Sequence, residues 1–215
     1  MPNIHIDIQP IRIETKGTLA VGTSFRRGLV HRMVAQDGDG FTYIPASSFK
    51  GRVRRACEQL ARRFNIRVCN PPQPDRMCSA GRRPCLVCRV FGCPGHPGRL
   101  HWRDARLSKL YREAFEKNKR AQFYDRTQVQ LSRALGVASP GKLFTSESTV
   151  EDLEFETVVA GRLQYTPIDD EVPGGYEMLL LLAGLKLVNT VGGGASRGDG
   201  WVSCHLPETI DIFPK

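Results

Sequence analysis

The stretch IPASSFKGRVRRACEQLARRF, residues 44–64, decides the fold because it holds the clearest helical periodicity in the chain. Its apolar side chains recur at the spacing that places them on one helix face, and they are Phe49, Val53, Ala56, Leu60 and Phe64. Ser47 or Ser48 is the expected N-cap, since a serine hydroxyl accepts hydrogen bonds from the first backbone N–H groups. The stretch therefore predicts an amphipathic helix with a basic outer face.

Alternating apolar residues surround this helix. From Ile4 to Val21 they predict a strand, or a hairpin pair, with one buried face, and residues 26–42 predict a long loop. The later elements are expected as strands at 99–107, 151–165 and 201–206 and as helices at 108–120 and 176–189. This order predicts an α+β fold of the ferredoxin-like (RRM-like) arrangement in one domain spanning residues 1–215.

Composition favours a folded protein with an acidic partner. Hydrophobic residues make up 40% of the 215 residues, enough for a core, which argues against global disorder. Lys and Arg number 31 against 22 Asp and Glu, so the net charge is +9. Such an excess favours nucleic acid as a partner or indicates a solvated basic surface. Because neither a signal peptide nor a bilayer-length apolar stretch is visible, we expect a cytoplasmic protein without a membrane role.

Five of the seven cysteines lie between Cys69 and Cys93. In a reducing compartment, such clustering indicates metal binding rather than disulfides. The surrounding insertion, residues 67–98, has many Pro and Gly residues and too few apolar residues to hold itself together. We predict one structural zinc, held by Cys69, Cys78, Cys85 and Cys88. Cys93 and His96 are the candidate substitutes for one of these ligands.

The predicted start of this helix, at Ser47 or Ser48, has the chemistry of a phosphate site. Backbone N–H groups and the positive end of the helix dipole attract anions there, and cations beside them add charge-assisted bonds. The predicted contacts are Ser47, Ser48, Lys50, Arg52, Arg54 and Arg55. The alternative is an ordinary helix with a solvated basic face.

A second phosphate site is predicted at GGGASRGDG, residues 192–200, here called the glycine loop. Glycines such as Gly193 and Gly194 let a backbone approach a ligand closely, and Ser196 and Arg197 add a hydroxyl and a guanidinium fork. The loop lacks the Gly-Lys-Ser/Thr ending of a Walker loop and follows a helix instead of a strand. The alternative is a flexible connector.

The polar segment 121–145 is expected to protrude as an arm. Its basic and amide residues alternate with apolar ones, so that phosphate contacts and wedges between bases are both available. The predicted RNA contacts are Arg126, Gln128, Arg133 and Lys142, and the apolar residues are Tyr124, Leu131 and Phe144.

These motifs together resemble the RAMP superfamily of CRISPR-associated proteins. IPASSFKGRVR resembles that family's "IPGSSLKG" helix start, and the glycine loop resembles its C-terminal glycine-rich loop. CLVCRVFGCPGHPGRLHWRDA resembles a stretch of type III backbone subunits, and SRALGVASPGKLFTSE resembles their thumb. The resemblance runs in order along nearly the whole chain. It implies a ferredoxin-like palm with a thumb at 121–145, bound along a guide RNA.

The resemblance also implies partners, and one departure from it bears on catalysis. The partners are guide RNA, complementary target RNA, and other effector subunits, including copies or paralogues of this chain. Cleaving members carry an acidic residue in the loop after the first strand, and counting back from Ile44 places Val30 there, next to His31. Valine offers no oxygen, so we expect a subunit that binds RNA without cutting it.

Two other interpretations remain open from the sequence. One is an endoribonuclease that cuts target or processes guide RNA, with His31, Asp37 and Asp39 as candidate catalytic groups. The other is a zinc-bearing interaction protein with no RNA role. The basic helix start and the glycine loop argue against the latter.

Overall fold

The computed structural model describes residues 3–22, 30–78, 83–168 and 174–214. Its four helices are α1 (Ala46–Arg63), α2 (Leu86–Phe91), α3 (Lys109–Phe115) and α4 (Gly175–Leu187). The first five strands are β1 (Asn3–Thr15), β2 (Val30–Arg32), β3 (Tyr43–Ile44), β4 (Leu100–Trp102) and β5 (Ala105–Leu107). The remaining strands are β6 (Phe123–Leu131), β7 (Ala138–Thr149), β8 (Glu154–Gln164), β9 (Val202–His205) and β10 (Asp211–Pro214).

The opening alternation forms one long strand, β1, with its apolar side chains in the core. Ile4, Ile6 and Ile8 are buried, and so are Ile11 and Ile13 after a shift of phase. The pairing of β1 with β8 shifts register between Ile8 and Ile11, so a bulge returns the later side chains to the buried face. The predicted strand is confirmed, and the bulge explains why its apolar period skips one residue.

The main sheet is antiparallel and has seven strands. Its path runs β10-β1-β8-β5-β3, while β4 also pairs with β8 and β9 also pairs with β1. Strands predicted at 99–107, 151–165 and 201–206 are all present, the first as the pair β4 and β5. The mixed α+β class predicted from the sequence is confirmed. The predicted loop at 26–42 contains β2, and its residues 26–29 lie outside the described residues.

Helix α1 packs its apolar face on the sheet and on α4. The buried residues recur every four positions as Phe49, Val53, Cys57 and Ala61, while the predicted core residue Phe64 is 69% exposed. Phe64 was wrongly assigned because it follows the last helical turn, where the chain leaves the packed face. The predicted serine N-cap is also wrong. Pro45 occupies that position, and its carbonyl accepts the backbone N–H of Ser48 at 3.0 Å.

Helix α2 corrects the expectation that the cysteine insertion lacks core residues. Leu86, Val87, Val90 and Phe91 are buried in the main hydrophobic core. Leu86 and Val87 are the middle residues of the C-x-x-C motif and Val90 and Phe91 follow it, but six residues are too few for the helical period to stand out in the sequence. The cysteine insertion is thus fastened to the core through α2, near its C-terminal end.

Helix α4 crosses α1 at close range. A Cβ atom at Gly184 would lie much closer to the Cys57 sulfur than a van der Waals contact allows, so glycine is required at this crossing. The Cys57 thiol donates to the Leu180 carbonyl at 3.3 Å, which confirms its expected core position. Near the start of the helix, the carboxylate of Glu177, which is fully buried, pairs with Arg89 of α2 at 2.6 Å. No helix among the described residues is long and apolar enough to cross a membrane.

The predicted arm, called the thumb below, is a hairpin of β6 and β7. Strand β2 extends the hairpin into a second sheet of three strands. Its base is tied to the body of the protein, since Leu19 donates its backbone N–H to the Thr149 hydroxyl at 2.9 Å. Its outer half is exposed on both faces, from Val129 through the turn to Leu143. The segment therefore combines a buried base with a projecting tip.

Candidate nucleic-acid interface and metal site

The glycine loop connects α4 to β9 and is held by its own backbone bonds. Gly193 donates to the Ala20 carbonyl at 3.0 Å, and Gly200 donates to the Thr18 carbonyl at 2.7 Å. Within the loop, Asp199 donates its N–H to the Gly194 carbonyl at 3.2 Å. These bonds tie the loop to the segment that follows β1, so it is a fixed turn rather than a flexible connector.

Several glycines of this loop are required by the fold itself. Gly192 and Gly194 have φ angles of 78° and 82°, a region that favours glycine. A Cβ at Gly192 would lie 2.8 Å from the Ala20 carbonyl oxygen, and one at Gly194 would lie 2.5 Å from the Asp199 carboxylate. The close approach that the sequence assigned to a ligand is therefore made in part by the chain itself.

The base of the thumb meets the glycine loop at a buried carboxylate. Asp199, 4% exposed, accepts a hydrogen bond from the Thr18 hydroxyl at 2.7 Å and pairs with Arg126 of β6 at 3.2 Å. An open cleft of about 300 Å³ lies beside this contact, with Gln128 and Arg197 among the residues that line it. The structure thus brings together these predicted contacts: Arg126, Gln128, Gly193, Gly194 and Arg197.

The start of α1 adjoins the same loop. Arg52 donates from its guanidinium to the carbonyl of Gly192. Lys50, one turn from the helix start, is half-buried, and burial followed by repulsion from Arg54 lowers its pKa below the ordinary lysine value. A cation held at a desolvated position beside a second cation is stabilised by an anion. Ser47 and Ser48 lie in the first turn of the helix, exposed and half-buried respectively.

Arg54 and Arg55 face different surroundings. The Arg54 guanidinium binds Glu58 at 2.9 Å and the Gly92 carbonyl at 2.9 Å, and it approaches the Cys88 sulfur at 3.6 Å. Arg54 therefore links the helix to the cysteine insertion. Arg55 is exposed.

Arg133 and Lys142 lie in the outer half of the thumb. Both are exposed, Arg133 in the turn between the strands and Lys142 next to Leu143 on β7. The structure surrounds them with exposed apolar residues, most of which the sequence analysis did not name: Val129, Leu131, Leu135, Val137 and Leu143. Their signal in the sequence is an apolar alternation that lacks any opposing core segment.

The four predicted metal ligands come together. The sulfur atoms of Cys69, Cys78, Cys85 and Cys88 all lie within 4.8 Å of one another. Cys69 lies 3.3 Å from Cys88 and 3.8 Å from Cys85, measured between sulfurs. Four thiolates at such separations fit the tetrahedral coordination of a structural metal site. Cys93 is outside this group, in a tight turn where it exchanges backbone bonds of 2.9 Å with His96.

The electrostatics of the cluster favour metal binding. The hydrogen bond between the two thiols of the C-x-x-C motif lowers the pKa of Cys85 to about 4 and raises the pKa of Cys88. One thiolate is therefore available at neutral pH, and metal ligation needs the thiolate form. In contrast, burial raises the pKa of Cys57 and of Cys204 to about 12, so these two remain protonated thiols.

The candidate catalytic residues are occupied by structural contacts. Val30 pairs with Thr145 in the thumb sheet, and His31 accepts the Thr145 backbone N–H at its Nδ1 atom at 3.2 Å. Asp37 accepts the backbone N–H groups of Asp39 at 3.1 Å and Phe41 at 2.9 Å. Both aspartates also pair with Arg112 of α3, at 3.3 and 3.1 Å. The loop is an acidic turn closed by its own side chains.

Two buried acids beside the cleft were not predicted from the sequence. Asp199 is one of them, and in the sequence it is visible only as the single acid of the glycine loop. Glu147 of β7 is the other; it is 3% exposed, pairs with Arg120 and accepts the Val34 backbone N–H at 3.0 Å. Both carboxylates neutralise arginines and fix the thumb against the body of the protein.

Comparisons with known proteins bear on the fold and the family of this chain. No curated protein sequence matches this chain significantly. Among solved structures, a chain of the cryo-EM structure of type III-B Cmr-beta in the apo state superposes with a TM-score of 0.61. The two chains are 15% identical, and the match covers 94% of this chain and 97% of the other, so they share a fold. The sequence model of the RAMP superfamily matches residues 12–203, and the chain therefore belongs to the RAMP superfamily.

Proposed function

We propose that this chain is a guide-RNA-binding backbone subunit of a type III CRISPR effector complex. The observation that carries the proposal is the cleft between the glycine loop and the base of the thumb, with the start of α1 bonded to the same loop through Arg52. Three elements distant in sequence place cations and hydrogen-bond donors on one surface of a chain with charge +9. That is the footprint of a protein that holds a polyanion along its backbone.

The contacts in this cleft are suited to phosphates. Lys50, Arg52 and Arg197 lie at a helix start or on a glycine loop, and both settings present donors to phosphate oxygens. Arg126 and Gln128 continue the surface onto the thumb, and Arg133 and Lys142 extend it toward the tip. The subunit thus binds any guide sequence, and base pairing supplies the choice of target RNA.

The remaining parts of the proposal concern architecture. The main domain is the ferredoxin-like (RRM-like) palm of the family, the arm at residues 121–145 is its thumb, and copies or paralogues of the chain are its neighbours in the cytoplasm. The cluster of Cys69, Cys78, Cys85 and Cys88 holds one zinc. The role of this zinc is structural, because four thiolate ligands leave no open position for chemistry. When bound, zinc supplies cross-linking of the insertion to the core.

The subunit binds target RNA without cutting it. Val30 stands where cleaving relatives carry an acid, and Asp37 is already engaged by two backbone N–H groups and Arg112. In the assembled complex with magnesium or manganese, labelled target RNA should remain intact. Cuts at regular spacing that vanish on Asp37→Ala or Asp39→Ala would establish the nuclease instead. Cutting introduced by Val30→Asp would support both the alignment and the missing acid.

Binding is tested by replacing Arg197 with alanine. The variant should bind unrelated guide sequences more weakly by a similar factor, about tenfold, because a phosphate contact carries no sequence information. The slope of log affinity against log salt should fall in magnitude by about 0.7. Arg106→Ala, an exposed arginine on β5, is the matched control and should leave both quantities unchanged. Losses confined to particular guide sequences would contradict the proposal.

A further inference from the structure

The outer face of α1 carries a continuous row of polar and small residues. Ser47, Gly51, Arg55 and Gln59 follow one another at intervals of four, and Arg62 continues the row after three more. Residues at these intervals share one helix face. All five are exposed, and from Ser47 to Arg62 the row spans about 22 Å.

The row carries hydrogen-bond donors and positive charge but no unpaired acid. Helix α1 contains six Lys and Arg residues and a single acid, Glu58. Glu58 lies at the same surface and pairs with Arg54 at 2.9 Å, so its charge is already compensated. The surface that remains attracts anions along its whole length.

A second wall turns this row into a groove. The cysteine insertion runs alongside α1, and Pro71, Pro72 and Met77 form the far side of an open groove of about 540 Å³ with Arg55 and Arg62. Arg62 joins the two walls, since it donates to the Cys69 carbonyl at 3.4 Å and to the Asn70 side chain at 3.3 Å. The proline wall is apolar and rigid, whereas the helix wall is cationic.

Gly51 has no explanation within the fold. It lies inside a helix, where glycine is less favourable than alanine, and nothing in the chain lies within 4 Å of a Cβ built on it. Gly184, by contrast, is required by the sulfur of Cys57. A glycine that the chain does not need, at the mouth of a cationic groove, is suited to the close approach of an external backbone.

We propose that this groove, between α1 and residues 69–77, binds the sugar–phosphate backbone of single-stranded RNA as a continuation of the glycine-loop cleft. The inference rests on the proposed function and extends it to a second surface. Continuity favours RNA over an acidic protein, because α1, which forms one wall of the groove, also contacts the glycine loop through the bond from Arg52 to the Gly192 carbonyl. One strand can therefore pass from the glycine loop along α1 to the cysteine insertion.

The first test removes the groove's charges. The double variant Arg55→Ala/Arg62→Ala should lower the affinity of the full chain for single-stranded RNA of unrelated sequences about tenfold. The salt slope should fall by about 1.4, since each lost phosphate contact on a single strand contributes about 0.7. The control Arg103→Ala/Arg106→Ala removes the same charge from exposed positions at β4 and β5 and should change neither.

The second test separates binding from folding. Gly51→Leu introduces a better helix former into open space, so the thermal midpoint of unfolding should rise or stay unchanged. RNA binding should nevertheless weaken, because the side chain blocks the approach of the strand. A variant that fails to fold could not give this combination.

The outcomes distinguish the groove from the cleft. If the double variant and Gly51→Leu bind RNA as the control does while Arg197→Ala binds weakly, the groove proposal is overturned and the proposed function stands. If Arg197→Ala also binds normally, the proposed function fails as well. Groove variants that keep RNA affinity but lose an acidic protein subunit would likewise overturn the RNA assignment.

Discussion

The glycine loop and the part of the cysteine insertion that precedes α2 are both short of apolar residues, yet they are ordered in different ways. The glycine loop is closed by bonds within the chain, from Gly193 and Gly200 to the segment after β1 and through Asp199 to the thumb. The cysteine insertion instead converges on four sulfur atoms within 4.8 Å of one another. Close-packed thiols gain little from one another, and their separations fit the ligands of one metal ion.

This difference separates two sources of local order. A loop whose backbone polar groups are hydrogen-bonded within the chain keeps its shape in the free protein. Such a loop can attract its ligand by charge and does not depend on the ligand for its order. A segment organised by a metal keeps its shape only while its thiolates are coordinated. The first should therefore tolerate metal removal, and the second should not.

The largest effect is expected from the metal ligands. Cys85→Ser/Cys88→Ser should lower the free energy of unfolding by about 4 kcal/mol, because it removes two ligands and one of them is buried. Denaturation with zinc present measures this change. Cys93→Ser, outside the cluster, is the control and should cost less than about 1 kcal/mol. Equal stability of the two variants would show that no metal organises the insertion.

The next effect tests the self-closed glycine loop. Asp199→Ala removes an acceptor from Thr18 and Arg126 and should lower the free energy of unfolding by about 2 kcal/mol. Adding a chelator should not enlarge this loss in the variant relative to the wild type. Asp39→Ala is the control. Because Asp39 pairs with Arg112 at an exposed position, this variant should lower the free energy of unfolding by less than about 1 kcal/mol. A chelator effect specific to Asp199→Ala would mean that the two regions are coupled.

The smallest effect concerns the acidic turn at Asp37, a second self-closed loop. Asp37→Ala removes bonds from two backbone N–H groups and should cost about 1 kcal/mol of stability. The integrity of target RNA should be the same with the variant and with the wild type, because the carboxylate serves the turn. Thermal unfolding and a labelled target RNA measure the two properties. A stable variant with altered RNA cleavage would reassign Asp37 to catalysis.

The sequence identified the site motifs better than their neighbours. It named the four clustered cysteines as a set because their spacing alone reports the chemistry of a shared metal. It missed Asp199, because one acid among glycines has no pattern until Thr18 and Arg126 are brought beside it. Contacts between distant segments leave no periodic signal in a single sequence.

Local errors had local causes. Phe64 fitted the helical period, but the helix ends before it and leaves the ring exposed. The serines at the start of α1 have good capping chemistry, yet Pro45 fixes the entry of the chain two residues before Ser47. Helix α2 was missed because a six-residue helix is shorter than two turns of the period that would reveal it.

By itself the sequence determined the mixed α+β class, the buried faces of β1 and α1, the set of four clustered cysteines and the family resemblance. Each of these depends on residue types at short, regular spacing, which a chain carries before it folds. Only the tertiary structure decided that the glycine loop and the base of the thumb share one cleft beside the start of α1, and that α1 and the cysteine insertion form a groove. Those arrangements depend on pairing and packing between segments far apart in the chain. The physical reason is that a cleft or groove forms only when folding brings its two walls together.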